Sequence, residues 1–179
     1  MALDVVAVES YTQGRLSRDD DETQRQLDAA LAAARNYCGW HVTPVVADDE
    51  VVLDGPGNGL LMLPTLRLTG LSAIAEDGVA VDVAEVQTSV RGMVRKNSGA
   101  LWTANFGGIA VTFSHGFDAS AAADFEAAIL SAISRGGFSA DETPRVIGPF
   151  QYSDPASAGG VFTGSELAVL SRYRIESAP

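Results

Sequence analysis

Asn36-Tyr37-Cys38-Gly39-Trp40-His41-Val42-Thr43-Pro44 is the stretch at which the chain changes its hydrophobic period. Upstream of it, Leu27, Ala30, Leu31, Ala34, Tyr37 and Cys38 recur at the spacing of one face of an α-helix. Gly39 then supplies the residue a helix favours just past its end, where the backbone turns left-handed. From Trp40 onward that spacing is gone, and Pro44 follows. The helix opens in Asp19, Asp20, Asp21 and Glu22, whose carboxylates suit the positive end of the helix dipole. Its many alanines leave room for a close neighbour. Before it, residues 4–11 predict a shorter helix with Val5, Val8 and Tyr11 inward and Gly14 as its stop.

Downstream of Pro44 the pattern is β-like, in short runs at residues 50–53, 60–63, 66–75, 79–83, 93–95 and 109–113. Turn signals separate them: Asp54-Gly55-Pro56-Gly57-Asn58-Gly59, Asp77-Gly78, Asn97-Ser98-Gly99 and Gly107-Gly108. This predicts a compact antiparallel unit with the short strands and short turns of a small sandwich or open barrel. After Ser114-His115-Gly116-Phe117 the helical period returns through Phe125, Ala128, Ile129, Ala132 and Ile133, and Gly136-Gly137 stops it. The fold class expected is therefore α+β. A small helical bundle, residues 1–44 and 115–136, carries an inserted β unit, residues 45–114, because the simplest packing sets the flanking helices against each other.

Residues 137–179 read as an extended arm ending in a short helix. Pro144, Pro149 and Pro155, with several glycines, punctuate its first part. At its end Thr163 and Glu166 have the spacing of a capping box, opening a helix over 164–173. Leu167, Leu170 and Tyr173 share one face, and Arg172 and Arg174 lie near the carboxyl end, where the dipole favours cations. Such a helix is too short to persist alone in water. Burying Leu167, Leu170, Tyr173 and Ile175 contributes about 1.5–3 kcal/mol each, against an ordering cost of about 1–2 kcal/mol per residue. The element needs a surface: either a partner's, or its own domain's if the arm folds back.

The chain has 179 residues, 46% of them apolar, which suffices for one domain with an appendage or for two small subdomains and excludes a large multidomain enzyme. No apolar run is long enough to cross a bilayer, and Met-Ala-Leu-Asp-Val-Val lacks the basic start of a signal peptide. The expectation is a soluble protein made in the cytoplasm, without membrane association. Cys38, the single cysteine, cannot form an internal disulfide. A net charge of −11 argues against a tight nonspecific grip on nucleic acid, whose phosphates are held by Lys and Arg.

Catalytic patterns fail on inspection. Cys38 and His41 are three apart, but one cysteine and two histidines make no complete zinc set, and Cys38 belongs to an apolar stripe. Ser114, His115 and Asp118 are adjacent, whereas a hydrolase triad is assembled from separated positions, and there is no Gly-x-Ser-x-Gly elbow. Gly55-Pro56-Gly57-Asn58-Gly59 lacks the Lys-Ser/Thr ending of a phosphate loop and is a β-turn. Trp40 and Trp102 suit a core or a subunit interface better than a ligand platform. No catalytic residue, metal or cofactor is expected.

Taken in order, these segments resemble the head-to-tail adaptor, or head-tail connector, proteins of long-tailed bacteriophages, particularly those of actinobacterial hosts. The resemblance runs through the acidic-start helix and its exit at 36–44, Leu61-Met62-Leu63-Pro64-Thr65, and the Glu76-Asp77-Gly78 hairpin. It continues through Ile109-Ala110-Val111-Thr112-Phe113-Ser114-His115-Gly116-Phe117 and the closing Thr163-Gly164-Ser165-Glu166-Leu167 with Leu170 and Tyr173-Arg174. It implies a structural virion protein at the capsid–tail junction, made in the bacterial host cytoplasm and assembled as a ring of twelve copies. The ring's partners would be the portal protein, the next connector or tail protein, and genome DNA passing through the channel without specific binding. The portal-binding residues would be Leu167, Leu170, Arg172, Tyr173, Arg174 and Ile175. An acidic wall repels phosphate within a Debye length of about 8–10 Å, so Asp19, Asp20, Asp21 and Glu22, or Glu76 and Asp77, are candidates to line that channel. The alternative from another class is a small glycan- or peptide-binding β module with helical flanks; a hydrolase comes third.

Overall fold

The computed structural model describes residues 3–136 and 161–175, and between them two short antiparallel strands at Val146–Ile147 and Phe150–Gln151. The rest of the arm expected between residues 137 and 160 lies outside the described residues. The protein is α+β and divides into two compact units. One takes the chain up to Gly39 and resumes at Ala122; the other takes Trp40–Ala121.

The first unit is helical. Helix α1, Val5–Tyr11, is capped by Asp4, whose carboxylate accepts from Ala7 N, and buries Val8 completely. Tyr11, expected inward, is exposed; Thr12 takes the inner position instead and its hydroxyl donates to the Val8 carbonyl at 2.8 Å. Helix α2, Asp21–Cys38, begins at Asp20, which caps Glu22 N, and ends at Gly39 with φ +80°, a left-handed value that glycine adopts without strain. Its stripe Leu27, Ala30, Ala34 and Cys38 is buried. Helix α3, Ala123–Arg135, buries Phe125, Ala128, Ile129, Ala132 and Ile133 and also ends on a left-handed glycine, Gly136. Helix α4, Gly164–Leu170, runs on into a 3₁₀ turn at Ser171–Tyr173. Within this unit α1, α2 and α3 pack on one another, and α4 packs on α3 and α2.

The second unit holds seven strands: β1 Val46–Leu53, β2 Leu61–Met62, β3 Leu68–Glu76, β4 Val79–Val81, β5 Val86–Thr88, β6 Met93–Lys96 and β7 Ile109–His115. They form two antiparallel sheets, ordered β1-β7-β3-β4 and β2-β6-β5. Both sheets contribute to one core: Ile74, Ile109, Val111 and Phe113 from the first, Leu61, Val86 and Val94 from the second, with Trp102 from a loop. The strands thus divide between two sheets rather than forming one continuous ladder. β1 starts earlier than its apolar run, since Asp48 with φ +49° sits in a bulge between Val46 and Asp49 and lets polar residues join the ladder. β5, a Val-Gln-Thr triplet, carries too little pattern to be expected.

Candidate functional site

The C-terminal helix is the element on which the sequence places recognition. Its capping box is complete: Thr163 N donates to Glu166 Oε2 at 2.7 Å, and Glu166 N donates to Thr163 Oγ1 at 3.4 Å. Glu166 is buried, and the Arg135 guanidinium at the end of α3 grips it with both prongs, Nη1 to Oε1 at 2.7 Å and Nη2 to Oε2 at 2.9 Å. Arg135 Nη2 also donates to the Val161 carbonyl at 3.2 Å. Burial by itself pushes the Glu166 carboxyl up. The bonds from Arg135, from Thr163 N–H and from the Ser131 and Thr163 hydroxyls outweigh that and hold its pKa at about 2.

The face opposite the solvent is covered by the same unit. Leu170 is fully buried and its carbonyl accepts from Cys38 Sγ at 3.5 Å. Tyr173 is buried, sets its ring edge-on to Phe125 at 5.4 Å, and donates its hydroxyl to Asp124 Oδ1. Burial, and then the bond and charge of Asp124, push the tyrosine's pKa upward. The structure thus answers the need for a surface: of the two occupants the sequence leaves open, this helix rests on its own domain. Among the six residues expected to meet a portal, Leu170 and Tyr173 point inward, and Leu167 and Ile175 are half-buried. Arg172 is exposed beside Asp124 at 3.3 Å, and Arg174 is exposed with its guanidinium 5.3 Å from the centre of the Tyr37 ring.

Cys38 lies under this strap, and burial, partly opposed by the Arg174 charge, raises its thiol to about 11. We expect no labelling of the native protein by a maleimide at pH ~7.5 and full labelling in denaturant, because the thiolate is the reacting form. Rapid native labelling would show that the strap opens.

The acidic candidates separate by what holds them. Asp19, Asp20 and Asp21 are exposed at the start of α2, with Asp20 serving as its cap. Glu22 is tied to Arg25 at 2.7 Å. Glu76 is half-buried and fully engaged: Oε2 meets Lys96 Nζ at 2.5 Å and Oε1 accepts from Thr103 N at 2.6 Å. Lys96 lies in turn 4.5 Å from the centre of the buried Trp102 ring. Asp77 is exposed but accepts from Asn105 Nδ2 at 2.9 Å. Glu76 and Asp77 therefore brace their own loop, a role that adjacency to Gly78 only partly announces.

The residues that suggest catalysis are arranged for packing. Ser114 and His115 point to opposite faces of β7, and His115 meets Asp49 at 3.1 Å rather than Asp118. The His115 ring sits among Phe113, Trp40 and His41, with centroids 4.5, 6.2 and 4.6 Å away. The glycine loop uses its backbone N–H groups internally, Gly55 on the Asn105 carbonyl and Gly57 on that of Thr103, so no anion cradle forms. Among the described residues no cluster of three or more His, Cys, Asp or Glu side chains is placed to hold a metal, and no helix is long and apolar enough to cross a membrane. Sequence reasoning missed Arg135, whose partner is distant in sequence, and Phe106, an exposed aromatic that its setting in Asn105-Phe106-Gly107-Gly108 could have flagged.

This α+β fold is shared along its length with chains solved in the neck of GTA (gene transfer agent) particles. One solved structure with it is a chain of the neck of a native GTA particle computed with C12 symmetry, 15% identical at a TM-score of 0.62, the match covering 100% of this chain and 94% of that one. Another is from the neck of an empty GTA particle computed with C6 symmetry, 16% identical at a TM-score of 0.61, covering 99% and 92% of the two chains. No protein-family model and no curated relative matches the sequence.

Proposed function

We propose that this protein is a head-tail connector subunit: a structural virion component that assembles as a ring of twelve copies, joins the portal vertex to the tail, and surrounds the passing genome. The observation that carries the reading is the end-to-end fold match to neck chains of a particle solved with twelvefold symmetry. The arrangement of Ser114, His115 and Asp118, which pairs no nucleophile with a base, agrees with a structural role. Two clefts of the β unit, about 220 and 230 Å³, are smaller than the roughly 300–1,000 Å³ of ordinary small-ligand pockets.

In this reading the C-terminal strap meets the portal with its outer side, through Leu167, Arg172, Arg174 and Ile175, while Leu170 and Tyr173 hold it in place. Asp19, Asp20 and Asp21 are the acids that face DNA and keep it sliding, as a like-charged wall repels phosphate. The other side of the ring receives the next connector or tail protein. Native mass spectrometry, alone and with portal protein, tests the assembly. A ring of twelve is expected, formed alone or on the portal; a chain that stays monomeric in both settings overturns the proposal. Changing Asp19 and Asp21 to lysine, with the Asp20 cap of α2 retained, is expected to slow DNA ejection from assembled particles without altering the melting temperature by more than a few degrees. Ejection at the unaltered rate would remove these residues from the channel.

A further inference from the structure

We propose that the β unit carries the seam between neighbouring subunits, with Phe106 of one copy seated in the cleft formed by Leu68, Leu71 and Val90 of the next. This rests on the ring reading above and specifies its interface. Phe106 is 91% exposed, an unusual state for a phenylalanine. Its loop is firmly built: Gly107 N donates to Asp54 Oδ1 at 2.7 Å, Gly55 N to the Asn105 carbonyl at 2.8 Å, and Asp77 N to the Gly108 carbonyl at 2.7 Å. Packing is tight enough that a Cβ on Gly55 would collide with the Thr103 carbonyl oxygen. A side chain presented on so braced a loop loses little entropy when it docks.

The surroundings of Phe106 suit a second copy of this chain. Exposed Val52, Val79 and Leu101, at 68%, 69% and 64% exposure, lie at this end: Val52 Cγ1 is 3.8 Å from where a Cβ on Gly107 would stand, Val79 pairs with Glu76, and Glu76's partner Lys96 donates to the Leu101 carbonyl. Across the adjoining sheet, Val52, Ala110, Ala75 and Ala80 stand opposite one another in register, an uncharged row. The acids at this end, Asp54, Glu76 and Asp77, are occupied by Gly107 N, Lys96 and Asn105. For a chain of charge −11, copies approach most easily across such a neutral area.

The receiving cleft is at the other end of the same strands. β3 and β7 pair Glu76 with Ile109 beside the Phe106 loop and Leu68 with His115 at the far end. There Leu68, Gly70, Leu71, Thr88 and Val90 line a cleft of about 230 Å³ with no ionisable group in its lining, and Val90 is 57% exposed. A projection at one end and a recess at the other give the unit a head and a tail. That polarity is what a closed ring of identical subunits requires, because each copy must offer one surface and accept with a different one.

Single-cysteine exchange tests the seam, with Cys38 retained because it is buried. Phe106→Cys and Val90→Cys variants, mixed and oxidised, are expected to form a disulfide-linked dimer that neither gives alone, and the double variant a ladder of oligomers. Phe106→Glu is expected to lose the ring while keeping the melting temperature, its side chain being solvent-facing in the monomer. If Phe106→Cys alone cross-links as well as the mixture, the contact is two-fold and the proposal falls. A wild-type ring seen by native mass spectrometry, with no disulfide in the mixture, places the seam elsewhere and leaves the ring reading standing. Should wild type form no ring with or without portal, and the mixture no disulfide, both readings fall. A Phe106→Glu ring that assembles yet fails to enter particles assigns Phe106 to a different neck protein and overturns this one.

Discussion

Glu166→Ala should destabilise the helical unit by about 3–5 kcal/mol, the usual cost of removing one partner from a buried ion pair and leaving the other uncompensated. The Arg135 side chain is 22% exposed, so its guanidinium would keep its charge with little water to solvate it. Thr163 N would lose its acceptor at the same time, and with it half of the capping box. The pair also predicts a pH dependence. Its carboxyl titrates at about 2 in the folded protein instead of near 4.5, so the stabilisation is complete above pH ~4.5 and is lost as the pH falls toward ~2. Urea melts followed by circular dichroism at pH ~7 and pH ~3 measure both effects. Glu166→Gln should flatten the difference between the two. A Glu166→Ala protein that melts like wild type would show that the strap contributes nothing to the fold.

Truncation after Phe162 should have a larger effect, because it uncovers the seat of Leu170 and Tyr173 on α2 and α3 together with Arg135. Losing a buried leucine side chain alone costs about 2–5 kcal/mol, and the uncovered Cys38 should become reactive in parallel. A strap seated on a partner alone would leave a truncated body that stays folded and only fails to attach. The buried positions of Leu170 and Tyr173 change that expectation. Portal attachment must therefore be tested with a mild change: Arg172→Gln with Arg174→Gln removes the two exposed charges without setting a carboxylate beside Asp124, and losing an exposed ion pair of this kind costs about 0–1 kcal/mol. We expect this variant to melt normally and to lose co-purification with portal. Retention of wild-type affinity would remove the outer side of the strap from the interface, while a truncated protein that melts like wild type would contradict the packing described here.

Local chemistry was legible wherever it acts over a few residues. The left-handed glycines at 39 and 136, the acidic start of α2, and the Thr163–Glu166 box all follow from spacing and conformational preference. Strands with alternating apolar residues, β7 above all, were equally plain. The sheet order β1-β7-β3-β4 was not, since turn signals say that a chain reverses but not which earlier strand it joins. The candidate site shows the same boundary. A short helix with one apolar face announces that it needs covering, yet nothing local distinguishes a partner's groove from the helix's own α3. The deciding contact, Arg135 with Glu166, spans 31 positions. Likewise, Glu76 and Asp77 look like a solvated turn until Lys96 and Asn105 are seen to occupy them.

The interruption of the helical unit between Gly39 and Ala122 bears on the order of events during synthesis. Helices α1 and α2 leave the ribosome first, but α3 and α4, which cover them, follow only after the whole β unit. At a translation rate of about 5–20 residues per second, the early helices spend several seconds with an apolar stripe and no native cover, while the β unit, contiguous in the chain, can complete itself. The helical unit closes last, when Glu166 reaches Arg135. A newborn chain thus has no finished strap until its β unit has already been made.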